Sequence, residues 1–467
     1  MKKTLFVSLF LLTALCGSAK VKYVFYFIGD GMGVNQVNVT ETYLAALQGQ
    51  IGYTPLTMTS LPVVGLVNTY SATNGVTDSA AGGTALATGK KTKNGVIGML
   101  KDQTTPVYSI AQWAHDNGAA VGIGSSCSVD HATPAAFYAH AADRNEYYNI
   151  GKQLTETDFD FFGGPDFRKN NEHPEEGTLH ERAQKAGYTI AKGYKDYQKK
   201  SKKAQKMLLI QSDEANERYG HEELPYALDL GKNDLDVEQI TRAGIHFLMQ
   251  KQGEKDGFFL MIEGGKIDYC CHRNDIGSMV HETVNFDNAI KVAYEFYQQH
   301  PDETAIVISA DHETGGLVMG TGAYTLYTDL LRYQRMSIPY FQTYMNDLYK
   351  KAPAKFDWTL VERELKAQFG FWEGIQLSDA QTQRLKNRYA EIEKAADDKK
   401  ATAINNLGST CNHIMSEVAH ISWASGGHSN GFVPIFAIGE GTEVFQGRVD
   451  NIEIAPALAE IAGYKHE

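Results

Sequence analysis

Six short apolar runs, residues 21–28, 119–124, 207–210, 257–262, 304–309 and 433–438, constrain the fold of this chain more than any other feature. They are rich in β-branched and aromatic residues, and apolar positions follow one another without alternating. A strand with one wet face alternates, so uninterrupted runs call for cover on both sides, the situation of a parallel sheet sandwiched between helices. The intervening sequence supplies those helices. Residues 237–251 and 284–299 have helical periodicity and lead into the runs at 257–262 and 304–309, the helix-then-strand rhythm of an α/β fold. The predicted class is therefore α/β, with a mainly parallel central sheet covered by helices on both faces. Residues 324–422 break the rhythm with aromatic and charged helical sequence, including 358–369 and 377–399, and are expected to form a helical insertion within one large domain spanning 20–467.

The N-terminus reads as a leader. Met1-Lys2-Lys3 precedes an apolar run over 4–15 and then Cys16-Gly17-Ser18-Ala19, a secretory pattern with cleavage expected after Ala19 and a periplasmic or secreted mature chain. The run is too short to span a membrane permanently. A lipidated Cys16 is the less favoured reading, because Leu15 is large where such signals place a small residue. The full chain carries a formal charge of −12, and loss of Lys2 and Lys3 makes it two units more negative. Such a chain is a poor general nucleic-acid binder, so any affinity for phosphate must be local, built from metal ions or a few cations. Cys127, Cys270, Cys271 and Cys411 remain in a compartment that permits disulfides. The adjacent pair cannot readily bond to each other, and a bridge from Cys127 to one of them is a candidate pairing.

Residues of ligand type fall just past the predicted strands. Asp30 follows the first run, Glu263 the fourth, and Asp311-His312 the fifth, while the run at 119–124 leads to His131 and Thr133. Ligands of open α/β sheets collect at the carboxyl ends of the strands, so these side chains can converge on one crevice. Asp268 and His272 are four apart, on one face of a helix, and Gly426-Gly427-His428 adds a further imidazole. Imidazole with carboxylate favours zinc, whereas Glu263, Thr133 and Asp30 offer hard oxygens suited to magnesium. Ser79, in Thr77-Asp78-Ser79-Ala80-Ala81-Gly82-Gly83-Thr84-Ala85, opens a small-residue helix whose N-terminal N–H groups and dipole favour an anion. That arrangement suits phosphate, although a plain serine cap on a core helix would have the same sequence.

Taken in order, the Asp-Gly start after the first strand, the Thr-Asp-Ser-Ala-Ala segment, Glu263-Gly264-Gly265-Lys266-Ile267-Asp268 with His272, and Asp311-His312 with the later His428 resemble the alkaline phosphatase family. The resemblance implies a phosphate monoester hydrolase that acts through a phosphoserine on Ser79, with Arg144 gripping two phosphate oxygens. It implies two zinc ions, one on Asp268, His272 and His428 and one on Asp30, Asp311 and His312. A third ion, magnesium, would sit on Asp30, Thr133 and Glu263, with His131 adjacent. His131 and Tyr269 stand where bacterial members of the family carry Asp and Lys, and a histidine at the first position occurs in animal enzymes. The resemblance also implies a homodimer, but the 324–422 segment, where the matching fails, lies where such surfaces are commonly built and weighs against carrying that expectation over. A phosphodiesterase of the same superfamily and a non-catalytic periplasmic metal- or phosphate-binding protein are the alternatives. The Cys-x-Pro-x-Arg context of a sulfatase is absent around Ser79.

Overall fold

A computed structural model describes residues 21–251, 255–322 and 324–466. The leader and the Cys16 reading lie outside the described residues. The strands are β1 (Tyr23–Ile28), β2 (Val63–Asn68), β3 (Ala120–Ser125), β4 (Phe161–Gly163), β5 (Tyr188–Lys192), β6 (Lys206–Ile210), β7 (Phe258–Glu263), β8 (Thr304–Ser309), β9 (Glu313–Thr314), β10 (Leu317–Met319), β11 (Ile421–Trp423), β12 (His428–Ser429), β13 (Val433–Ile438) and β14 (Gly447–Asp450). Ten form one sheet in the order β14-β2-β13-β8-β1-β7-β3-β4-β6-β5. All neighbours are parallel except β13, which runs antiparallel to both β2 and β8. Every residue of β1, β3, β7 and β8 is buried, as expected of strands covered on both faces. The helix Ile276–Tyr297 packs against both Val34–Leu47 and Val237–Met249, and Ser79–Thr88, Ile110–Asp116 and Asn451–Ala462 form a second group. These are the two covering layers of the expected α/β class.

The apolar runs mark six of these ten strands. The others, β2, β4, β5 and β14, are short or lie toward the sheet edges, and β2 alternates buried and exposed positions. Within residues 324–422 the chain forms helices at Ile338–Lys351, Trp358–Phe369, Asp379–Lys394 and Lys400–Val418. This helical part is anchored through Asp275. Its carboxylate accepts from the Ser278 N–H at the start of the Ile276–Tyr297 helix, from Gln334 Nε2 at 2.7 Å and from the Ile338 N–H at 3.0 Å.

Strand register sets the site. Ile28 at the end of β1 lies level with Glu263 of β7 and Ser309 of β8, and Ser125 of β3 is level with Glu263. The residues that follow these four neighbouring strands therefore emerge along one edge. The candidate disulfide does not form. Cys127, Cys270, Cys271 and Cys411 are all buried free thiols. Cys127 lies against Tyr269 and Gly265, whereas Cys271 faces Gln36, because successive residues of the Lys266–His272 helix point in different directions.

Candidate active site

Asp78, not Ser79, caps the helix Ser79–Thr88. Its carboxylate accepts from the Ala81 N–H at 3.0 Å, which corrects the plain-cap reading and leaves the Ser79 hydroxyl free of the cap. All ten residues of the helix are buried. The glycines explain how it fits: a Cβ on Gly82 would lie 2.9 Å from the Asp311 carbonyl oxygen, and one on Gly83 3.2 Å from Thr133 Cα. The helix start is thus wedged between two of the loops that leave the strand ends, and Ser79 Oγ lies 3.3 Å from His312 Nε2.

Around that hydroxyl the expected side chains gather. Asp30, Asp311 and His312 offer donor atoms within 4.8 Å of one another, and so do Asp268, His272 and His428. In the first set His312 Nε2 lies 3.4 Å from Asp30 Oδ1 and 3.2 Å from Asp311 Oδ2. In the second, His272 Nε2 is 3.2 Å from Asp268 Oδ2 and 3.1 Å from His428 Nε2.

Hydrogen bonding fixes the tautomers. His272 Nδ1 is 2.7 Å from the Gly426 carbonyl oxygen and His428 Nδ1 is 2.8 Å from that of Thr77. A carbonyl only accepts, so both Nδ1 atoms carry the proton and both Nε2 atoms present a lone pair. Two lone pairs facing at 3.1 Å beside a carboxylate form a set that a cation satisfies. Thr314 orients His312 similarly. Its hydroxyl donates to Asp268 Oδ1 at 2.5 Å and so accepts from His312 Nδ1 at 3.1 Å, linking the two clusters. β9 pairs with β12, placing Thr314 opposite His428. Thr314 was not singled out from the sequence, although it stands two residues beyond His312.

Electrostatics point the same way. Burial and the neighbouring charges of Asp311, Asp268 and Glu263 hold the Asp30 carboxyl far above the usual range, and burial with Asp268 and Glu263 does the same to Asp311. Burial pushes Glu263 up to about 7. Burial also acts to raise Asp268, but the hydrogen bond to His272 and the nearby imidazoles prevail and hold it low. Both Asp30 oxygens, Asp311 Oδ2, Glu263 Oε1, Thr133 Oγ1 and His131 Nδ1 are buried without a hydrogen-bond partner. Several carboxylates crowded into one dry pocket with unpartnered oxygens are suited to divalent cations.

A third cluster joins Glu263 to Cys127 and His131. Thr133 and Asp30 flank the same Glu263 carboxyl, so the oxygen set expected from the sequence and a sulfur-containing set share one residue. Burial and the Arg144 guanidinium drive the His131 imidazole down to about 3, keeping it neutral. Arg144 donates from NH1 to Asp78 Oδ2 at 3.0 Å, and its NH2 lies 3.4 Å from His131 Nε2. Asp78 thus caps the Ser79–Thr88 helix and holds the arginine with one carboxylate, a role not read from the sequence although it immediately precedes Ser79. Among the described residues no helix is long and apolar enough to cross a membrane.

Comparison with known proteins agrees with this geometry. The family model for alkaline phosphatase matches residues 21–464. Alkaline phosphatase 3 of Bacillus subtilis is 30% identical over 449 residues, covering 93% of this chain and 88% of that protein. The alkaline phosphatase of Schizosaccharomyces pombe is 28% identical over 461 residues, covering 93% of this chain and 80% of that one. Among solved structures, the cold-active alkaline phosphatase of a psychrophilic Shewanella superposes with a TM-score of 0.77 at 28% identity, covering 94% of this chain and 99% of that one.

Proposed function

The chain belongs to the alkaline phosphatase family of metal-dependent phosphomonoesterases, and from that premise we propose that it hydrolyses phosphate monoesters through a phosphoserine on Ser79, served by two zinc ions and a third divalent ion. The observation that carries the reading is the position of Ser79 Oγ. It lies at a helix N-terminus, 3.3 Å from His312 Nε2, beside two three-residue donor clusters and within one residue of the aspartate that holds Arg144.

Asp268, His272 and His428 would hold one zinc, and Asp30, Asp311 and His312 the other. Asp30, Thr133 and Glu263 offer the oxygen set for magnesium. The unpartnered buried oxygens and the lone pairs fixed on Nε2 are what fit the chain for these ions. Bound there, the ions supply Lewis acidity at the serine oxygen, at the leaving oxygen and at the water of the second half-reaction.

The chain's own residues do the remaining work. Ser79 Oγ loses its proton and attacks phosphorus in line, the ester oxygen leaves on the opposite side and takes up a proton to become the alcohol, and water then cleaves the Ser79 phosphoester, restoring the serine hydroxyl and releasing inorganic phosphate. The helix N-terminus directs N–H groups and positive potential at the transferring group. Arg144, oriented through NH1 by Asp78, presents its remaining N–H groups to two non-bridging oxygens, where charge is spread in a loose transition state. A cation placed for two such oxygens rewards the dianionic monoester over a diester. Export is part of the same proposal, supported by the charged start and apolar run of the first 19 residues.

The test is hydrolysis of a chromogenic phosphate monoester and the matching diester before and after chelation and after return of zinc with magnesium. Monoester turnover lost on chelation, restored by the metals and abolished in Ser79→Ala with metal content unchanged is the expected result. Diester preference would overturn the substrate assignment, and metal binding without turnover would overturn the mechanism.

A further inference from the structure

The third cluster differs from the other two in holding sulfur. Cys127 Sγ, a ring nitrogen of His131 and a carboxylate oxygen of Glu263 lie within 4.8 Å of one another. Cys127 and Glu263 have no solvent exposure and His131 has 5%. On the same side chains, Glu263 Oε1 and His131 Nδ1 are buried without a hydrogen-bond partner.

The three residues are also tied together by the chain. The Cys127 N–H donates to Ser125 Oγ at 2.8 Å, and that hydroxyl donates to Glu263 Oε2. The sulfur is therefore held against the carboxylate by the end of β3. Gly265 keeps its place clear, since a Cβ there would come 2.5 Å from Cys127 Sγ. On the far side the Tyr269 hydroxyl reaches Cys127 and lies 3.4 Å from His131 Nε2. Buried thiols that only fill space sit among apolar side chains, whereas this one meets a carboxylate, an imidazole and a phenol.

We propose that Cys127, His131 and Glu263 form a sulfur–nitrogen–oxygen donor set that takes a thiophilic divalent ion, zinc or cobalt, in preference to magnesium. The proposal rests on the phosphatase reading only in requiring a cation beside Glu263, and it changes the identity of that cation. Magnesium demands near-octahedral oxygen ligation, while thiolate and imidazole select zinc and its neighbours. Binding forms a metal–sulfur bond and breaks the S–H bond, the proton leaving to solvent, with no change of oxidation state.

The test uses the full-length mature protein, stripped by chelation and reloaded with cobalt or zinc. Cobalt titration of the wild type is expected to produce thiolate-to-cobalt charge-transfer absorption that Cys127→Ser lacks, while Cys411→Ser, altered at a buried thiol elsewhere, retains it. Dialysis of the zinc-loaded wild type against excess magnesium is expected to leave three zinc per chain, and two zinc with one magnesium in Cys127→Ser. X-ray absorption on the zinc-loaded wild type needs no variant and is expected to show a sulfur scatterer at about 2.3 Å. Absence of both the charge-transfer band and the sulfur scatterer, or magnesium held in the third site in the presence of zinc, overturns the proposal. Monoester turnover is read in the same preparations. Turnover without sulfur ligation refutes this inference alone, and sulfur ligation without turnover supports it while refuting the phosphatase mechanism alone.

Discussion

Thr314 hydrogen-bonds to one side chain in each of the two donor clusters, and replacing it tests how the imidazole tautomers are set. Its hydroxyl accepts from His312 Nδ1 at 3.1 Å and donates to Asp268 Oδ1 at 2.5 Å. Thr314→Val keeps the shape of the side chain and removes both bonds. His312 is fully buried, so its Nδ1–H would be left without an acceptor, at a cost of about 1–3 kcal/mol. The imidazole can avoid that cost by moving the proton to Nε2, toward Asp30 Oδ1 at 3.4 Å and Asp311 Oδ2 at 3.2 Å. That tautomer blocks the lone pair needed for a metal. Loss of such an orienting partner typically lowers metal affinity by about 10–100-fold. Zinc competition against a chromogenic chelator should show a loss of this size in Thr314→Val and near-complete rescue in Thr314→Ser, which keeps the hydroxyl. Guanidinium unfolding of the stripped proteins separates affinity from stability. Zinc affinity within twofold of wild type in Thr314→Val would refute the argument that this hydroxyl sets the tautomer.

Other perturbations follow from named contacts. Arg144→Lys removes the fork proposed above to grip two phosphate oxygens; loss of about 1.5–3 kcal/mol of charge-assisted hydrogen bonding lowers monoester kcat/KM roughly ten- to hundredfold, with a smaller loss for the diester, so equal losses on the two substrates would count against this role. Tyr269→Lys places a cation beside His131, and product inhibition by inorganic phosphate should tighten; an unchanged inhibition constant contradicts it. Glu282, buried and accepting from the Ala227 N–H at 2.7 Å, is pushed by burial from an ordinary 4.5 up to about 7. The folded state then holds a proton that the unfolded chain has released, so Glu282 costs stability as pH rises through 4.5 to 7, reaching about 3 kcal/mol above that window. Denaturant titrations of Glu282→Gln and wild type should coincide near pH 4.5 and diverge by pH 8, the variant being more stable; parallel curves would show that Glu282 does not titrate there.

Where sequence pattern stops predicting this molecule is a matter of how many residues a feature needs. β1, β7 and β8 are continuous apolar segments because helices cover both faces, so periodicity alone identifies them and the strand-end rule places Asp30, Glu263, Asp311 and His312 together. β2 and β14 gave no such signal. β2 lies next to the sheet edge and exposes alternate residues, and β14 is a four-residue edge strand with its first two residues exposed. β4 has only three residues, too few to show a period. At the site, residues that supply ligand-type side chains were legible one by one, because Asp and His after a strand carry their chemistry in their identity. The residues that orient them were not. Thr314, Ser125 and Asp78 act through hydrogen bonds to partners as distant in sequence as Asp268, Glu263 and Arg144, and a lone Thr, Ser or capping Asp has no pattern that points to those partners.

The cysteines show the same limit from the other side. Counting them in a chain expected to be exported led to a disulfide candidate, but pairing requires two sulfurs to face each other, and the Lys266–His272 helix turns Cys270 and Cys271 away from Cys127. What Cys127 meets is decided by strand register. Ser125 ends β3 level with Glu263 at the end of β7, and two residues further on the chain places Cys127 Sγ against that carboxylate. The register that gathers the acidic ligands thus also brings a thiol into their midst. A sheet edge that gathers Asp30, Glu263, Asp268 and Asp311 into one dry pocket favours a bound cation or a held proton, and under the proposal above the soft donor that the same edge delivers selects the cation at the third position.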